Sequence, residues 1–369
     1  MDAAPAPTAE RLKRAEALVE QAARVGAQLV VLPELFNTGY AYQDENFQRA
    51  ETLDGPTVAW MKATSSRLNL HLAGSLMLWD GSDIYNSLLL IAPDGRIWRY
   101  DKNYPWGWER GYFRGSRQIS IAHTELGDIG MMLCWDIAHA SRWRRYAGSV
   151  DFLLVCSCPP DVSMPTYHFP DGQMLTLDDL GLPGGWIKGS AGRVFQENFS
   201  QQTAWLRAPA VLSSGCGRFR TPIPRGRILT LALLPVAPWL GRFLSQADGL
   251  ELSCNSASGC KILDARGEQL AGRTPEEGEG FVVAEVTVGG RKSTPIKTQP
   301  TPPVPLISYL LSDYLLPWLS LPVYREGVHR AQGVQHPAYC ANERKSFVRM
   351  LFLVAGIFSF IWLFLRRRK

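Results

Sequence analysis

Apolar and polar positions follow two alternating periods from the start of the chain to about Val288. Leu12, Ala15, Val19, Ala22 and Val25 recur at helical spacing over residues 10–25, and Gly26 is a natural stop. A buried strand is predicted at 28–32, a helix at 58–68 and a further strand at 70–77. Residues 84–91 and 96–100 read as a strand pair across the turn Pro93-Asp94-Gly95. A strand at 129–133, a short helix at 138–146 and a strand at 152–156 follow. Residues 261–270 form a hairpin arm turning at Asp264-Ala265-Arg266-Gly267, and 280–288 is the expected last strand. Strands alternating with helices predict an α/β layered domain.

Three apolar stretches break the pattern. Residues 228–240 are almost wholly apolar but hold Pro235 and Pro238. Residues 302–324 contain several prolines and a single charge, Asp313. Residues 350–365 carry no charge and lie between Arg349 and the tail Arg366-Arg367-Arg368-Lys369. As a helix that last run spans about 24 Å, and Phe347 to Arg349 extend it toward the roughly 30 Å of a hydrocarbon core. The expectation is a membrane anchor over 346–369, with 228–240 and 302–324 lying at the interface because proline breaks them. The domain plan is then 1–289 for the catalytic unit with an apolar insertion at about 221–250, 290–345 for an extension, and 346–369 for the anchor.

The 369 residues are 46% hydrophobic and carry a net charge of +5, much of it in the basic tail. A sizeable core follows, and disorder of the whole chain does not. There is no basic patch with a recognisable nucleic-acid module. The seven cysteines include no C-x-x-C pair and the six histidines no H-x-x-x-H or H-E-x-x-H spacing, so neither a metal nor any other cofactor is expected. The odd cysteine count suits a reducing compartment. The first residues lack the basic and apolar regions of a secretory signal, so the catalytic domain is expected to face the cytoplasm.

The chemistry lies where apolar runs stop. Leu32-Pro33-Glu34 ends the first strand, Tyr100-Asp101-Lys102 another, and Leu133-Cys134-Trp135-Asp136 a third. A carboxylate, an ammonium and a thiol are the base, oxyanion stabiliser and nucleophile that a thiol-dependent amide or nitrile hydrolase needs. Taken singly, each has a plainer reading: a packed cysteine, a helix-start acid and a strand-end lysine.

Taken in order, Leu32-Pro33-Glu34-Leu35-Phe36, Tyr100-Asp101-Lys102-Asn103-Tyr104-Pro105 and Leu133-Cys134-Trp135-Asp136 resemble the three signature blocks of the nitrilase superfamily of carbon–nitrogen hydrolases. Thr38-Gly39-Tyr40 and Gly127-Asp128-Ile129-Gly130 fit the same pattern. The resemblance implies Glu34 as general base, Lys102 as the cation at the oxyanion and Cys134 as nucleophile. It implies a second glutamate, matched by Glu109, that positions Lys102 or the deacylating water. Trp106 and Trp108 would line the pocket mouth, Tyr40 and Cys158 the pocket, and the backbone N–H of Trp135 would be a second oxyanion donor. The implied fold is a four-layer α-β-β-α sandwich on dimerisation, in a homodimer or higher oligomer. Relatives open with a strand before the first helix; this chain begins almost at that helix, so the sheet is expected to lack one strand unless the start is truncated.

The expected function is hydrolysis of a small-molecule or lipid-like amide or nitrile through a Cys134 thioester at a membrane surface. An N-acyltransferase using the same thioester is the alternative within enzymes, and a catalytically silent membrane scaffold the alternative outside them.

Overall fold

Two sheets lie face to face in the computed structural model, which describes residues 1–333 apart from 82, 163, 180–189, 235–236 and 289–291. The first has four strands in the order β1-β2-β3-β4: β1 (Leu29–Val31), β2 (His71–Asp80), β3 (Asp83–Ile91) and β4 (Ile97–Asp101). The second has six, in the order β14-β13-β10-β7-β6-β5, built from β5 (Ile121–Thr124), β6 (Gly127–Leu133), β7 (Phe152–Ser157), β10 (Ala210–Ser214), β13 (Cys260–Leu263) and β14 (Gln269–Arg273). A smaller sheet, β11-β12-β8-β9, uses β8 (Thr166–His168), β9 (Met174–Thr176), β11 (Arg218–Pro222) and β12 (Glu251–Asn255).

Side-chain alternation explains the layers. Ala73, Leu88 and Leu90 of the first sheet meet Ile129, Met131, Leu133 and Leu154 of the second, an apolar seam between the sheets. The other face of the first sheet, with Leu72, Leu76 and Leu89, packs on Ala15 and Val19 of the helix Thr8–Arg24 and on Val58 and Met61 of the helix Pro56–Leu68. The other face of the second sheet, with Met132, Leu153 and Leu212, packs on Trp143, Phe199 and Trp205. Strands buried on both faces read as continuous apolar runs, which is why β6 and β7 stood out in the sequence.

Three expectations change. Residues 280–288 run extended without joining a ladder. They line, with β1 and Val211 to Ser213 of β10, a cavity of about 610 Å³ at the edge of β1, whose ladder partner among the described residues is β2. Among the described residues, no strand lies between β1 and 280–288 across that cavity.

The second change concerns 302–324. Proline does not break it: a helix runs through Leu306–Ala331, with Pro317 in its α-helical first turn and Pro322 inside. A π-helical segment at Leu310–Leu315 precedes Pro317. Such a turn takes backbone groups out of the i→i−4 ladder, where a residue without an N–H costs least. The helix is long and apolar enough to cross a membrane by length and composition, yet a third of its most apolar window is buried against the domain. Every fourth residue from Ser308 to Val328 faces inward, while Leu306, Leu310, Tyr314 and Trp318 are exposed.

The third concerns the insertion. It forms the helix Gly226–Leu233 and the 3-10 turn Pro238–Phe243, which bury Ala232, Ala237, Leu240 and Phe243 against Phe219 and Leu252. Ile228, Leu229, Leu231, Leu233 and Leu234 stay half-buried, and Trp239 is partly exposed. The segment after 291 is also packed down: Lys292 bridges Asp128 and Asp151, and Gln299 Nε2 donates to Gln202 and to the Ala140 carbonyl. The expected anchor over 346–369 lies outside the described residues.

Candidate active site

Glu34, Lys102 and Cys134 each sit just past the end of a strand, on β1, β4 and β6, and the two facing sheets bring those ends to one place. The backbone is bent where they emerge. Leu35 follows Glu34 at φ 50°, its N–H donating to Ser75 Oγ at 3.0 Å. Cys134 itself has φ 46°, a left-handed conformation that costs a non-glycine residue roughly 1–3 kcal/mol. A short 3-10 turn, Cys134–Ala138, holds it. Asp136 in that turn is buried and accepts from Tyr100 Oη at 2.7 Å, Tyr104 N at 2.7 Å and Leu133 N at 3.3 Å. The carboxylate thus ties the Cys134 turn to β4 and to the segment after Lys102.

Lys102 is fully buried with its ammonium between two carboxylates. Nζ lies 2.7 Å from Glu34 Oε1 and 2.7 Å from Glu109 Oε2. Glu109 comes from the 3-10 turn Gly107–Gly111, and its other contacts are Tyr40 Oη and the Trp106 N–H at 2.7 Å. Gly107 opens this turn at φ 49°, and a Cβ there would press on Leu316 of the C-terminal helix. Glu34 accepts from Asn86 Nδ2 at 2.8 Å and from the Cys158 N–H at 3.0 Å.

Burial tends to discharge Lys102, but Glu109 and Glu34 outweigh it and hold the ammonium well above the usual lysine range. Burial raises the Glu109 carboxyl, with Lys102 opposing the shift. Burial first, then the charge of Glu34, pushes the Cys134 thiol well above its usual value; Lys102 pulls the other way. Burial and the two nearby glutamates together outweigh Lys102 and favour a neutral thiol at rest.

Cys134 opens on a small cavity of about 40 Å³, also lined by Tyr40, Trp106, Trp135, Phe195, Ser308 and Ser312. Of the residues expected at the pocket, Tyr40, Trp106 and Trp135 are on its wall. Trp108 is not: it packs on Tyr42 and Trp106 in the core behind Glu109. Cys158 is also off the wall, and its backbone N–H, not its thiol, meets Glu34.

The sequence reading missed Asn86, Asp136 and the C-terminal helix. Trp135 Nε1 donates to Asp313 Oδ1 at 2.8 Å, and His139 Nε2 lies 2.9 Å from Asp313 Oδ2. Asp313 was legible as the lone charge of an apolar run, the signature of a carboxylate with buried partners. No group of three or more His, Cys, Asp or Glu side chains among the described residues could hold a metal ion.

With this geometry in hand, comparison places the chain. The carbon-nitrogen hydrolase family model matches residues 4–177. The chain is 31% identical over 305 residues to the bifunctional nitrilase/nitrile hydratase NIT4B of Lupinus angustifolius, covering 76% of this chain and 74% of that protein. It is 32% identical over 127 residues to a nitrilase of Pyrococcus abyssi, covering 33% of this chain and 48% of that one. It is 31% identical over 175 residues to a citrullinase of Francisella tularensis, covering 44% and 61%. It thus spans about half to three-fifths of those last two relatives. Among solved structures, a CN-hydrolase superfamily protein of Xanthomonas campestris shares the fold with a TM-score of 0.51 at 17% identity, covering 77% of this chain and 96% of that one. An amidase from Nesterenkonia gives 0.51 at 15% identity, covering 74% and 83%. The chain belongs to the carbon–nitrogen hydrolase family, the nitrilase superfamily.

Proposed function

We propose that the protein hydrolyses a non-peptide carbon–nitrogen bond, in an amide or a nitrile, through a thioester on Cys134. The observation that carries this reading is the Glu34–Lys102–Glu109 chain of buried contacts beside a strained, buried cysteine that opens on a cavity. With an amide, Cys134 Sγ attacks the carbonyl carbon while Glu34 takes the thiol proton. Negative charge gathers on the substrate oxygen, where the Lys102 ammonium and the Trp135 N–H stabilise it. Collapse breaks the carbon–nitrogen bond; the nitrogen leaves as ammonia or an amine with the proton from Glu34. Water then adds to the thioester as Glu34 accepts its proton, and the carbon–sulfur bond breaks to give a carboxylic acid and the free thiol. Glu109 holds Lys102 charged and in place throughout. With a nitrile, Cys134 Sγ adds to the nitrile carbon while the nitrogen takes the proton from Glu34; water then adds to that thioimidate, giving the same tetrahedral species and the same path.

Acid-quenched intact-mass measurement on a panel of amides and nitriles tests the assignment. An acyl adduct on the native chain, absent from Cys134→Ala, is expected. Retention of a tenth or more of native kcat in Cys134→Ala would sink it.

We also read the protein as working at a cytoplasmic membrane surface. The supporting observation is the exposed row Leu306, Leu310, Tyr314 and Trp318, at 73%, 40%, 70% and 41% exposure, on the helix that also lines the cavity. The sheet and helix layers are read as the four-layer α-β-β-α sandwich of the family, paired into a homodimer, with 346–369 as the anchor.

A further inference from the structure

The C-terminal helix does more than cover the site. Its second and sixth residues past Leu306, Ser308 and Ser312, are part of the wall facing Cys134. Ser308 is 4% exposed, and its Oγ is buried without a hydrogen-bond partner. A buried hydroxyl left unpaired costs roughly 1–3 kcal/mol, so it calls for a partner that arrives later. Two other polar side-chain groups of the wall are already engaged. Tyr40 Oη is bonded to Glu109 and to Tyr42 Oη, and Trp135 Nε1 is bonded to Asp313.

The wall is otherwise apolar and aromatic. Among the described residues, no Asp, Glu, Lys or Arg side chain lines the cavity. A carboxylate or ammonium on the acyl part of a substrate would lose its water there and gain no counter-charge. The volume of about 40 Å³ limits the acyl chain to a few heavy atoms.

We propose that Ser308 is a substrate-binding residue whose hydroxyl hydrogen-bonds a polar atom on a short, uncharged acyl group held over Cys134. The proposal rests on Cys134 as the nucleophile and adds the substrate class: uncharged amides or nitriles bearing one hydrogen-bond acceptor, such as an ether oxygen, in the acyl chain. Selectivity would then come from a segment beyond the 4–177 matched by the family model.

Three acyl compounds test this: valeramide, its ether isostere 3-methoxypropionamide, and the carboxylate succinamate. The native full chain is expected to prefer 3-methoxypropionamide over valeramide by about fivefold in kcat/KM, the worth of one neutral hydrogen bond. Succinamate is expected to be the poorest. Ser308→Ala should bring the two uncharged amides level in kcat/KM, whereas a merely structural role would lower both together and leave their ratio unchanged. An unchanged ratio in Ser308→Ala, or succinamate as the best substrate, would overturn the proposal. Calorimetric binding of the same three compounds to the Cys134→Ser chain reads the subsite apart from the chemistry. A preference for the ether amide there, lost in Cys134→Ser/Ser308→Ala, with no turnover by the native chain, would refute the hydrolase reading and keep the subsite; equal binding of both amides would refute the subsite alone.

Discussion

The indole Nε1 of Trp135 donates to Oδ1 of Asp313 at 2.8 Å, joining the residue after Cys134 to a helix 178 positions further along the chain. The second oxygen of Asp313 meets His139, on whose ring Tyr104 stacks with centroids 3.6 Å apart. The Cys134 turn and the helix Leu306–Ala331 are therefore one mechanical unit.

Asp313→Ala leaves the Trp135 indole N–H and His139 without this carboxylate. Stability should fall by about 1–3 kcal/mol, the cost of unsatisfied buried polar groups. Asp313→Asn, which can still accept from Trp135, should lose less. Urea unfolding of both variants, with kcat/KM alongside, checks this; equal stability of Asp313→Ala and the native chain would show the clamp to be idle.

Lys102→Met should lower kcat by a factor corresponding to about 3 kcal/mol, by analogy with loss of an oxyanion donor. Lys102→Arg should not restore it, because a planar fork does not fit a site shaped for a compact ammonium. The same Met variant leaves Glu34 and Glu109 buried without their cation. Their protons would then be held more tightly folded than unfolded, so the stability deficit against the native chain should widen as pH rises from about 4 toward neutrality. Thermal unfolding across that range, showing a constant deficit, would contradict it.

The thiol of Cys134 is pushed up by burial, Glu34 and Glu109 and pulled down by Lys102. Alkylation by iodoacetamide should accordingly rise with pH without an acidic inflection. In Glu109→Gln, which removes a negative charge, the profile should move to lower pH; in Lys102→Met it should move to higher pH. Opposite displacements are the signature. A profile that stays put in both variants would mean that these groups do not act on the thiol.

The exposed row of the C-terminal helix gives a separate test. Leu306→Ser/Leu310→Ser/Tyr314→Ser/Trp318→Ser should weaken binding to lipid vesicles in a chain ending at residue 345, while deletion of 346–369 alone should leave part of the protein membrane-bound. Flotation of the native, shortened and substituted chains decides. Full release on deletion alone would make the row irrelevant to the membrane and turn attention to a protein partner.

Strand ends and helix spacing were legible because period and burial are local. Residues 129–133 and 152–156 each read as a strand from the apolar run alone, and β6 and β7 contain them. By the same logic 280–288 read as a strand, but a ladder needs a neighbour, and a cavity lies beside β1 there. Proline marked 302–324 as broken for want of any sign of the π turn before Pro317. The family resemblance implies Trp108 and Cys158 at the pocket, whereas the direction of a side chain depends on the turn that holds it.

By itself, then, the sequence determined which groups could do the chemistry: a carboxylate, an ammonium and a thiol each at the end of an apolar run, where a strand delivers a side chain out of the core. Only the tertiary structure decided what surrounds them. The double clasp of Glu34 and Glu109 on Lys102, the Asp136 hub, and the Asp313 and Ser308 contributions of the C-terminal helix join residues far apart in the chain. Charge and hydrogen bonding act over a few ångströms of space, and the two facing sheets and the helix Leu306–Ala331 are what bring those separations down to contact.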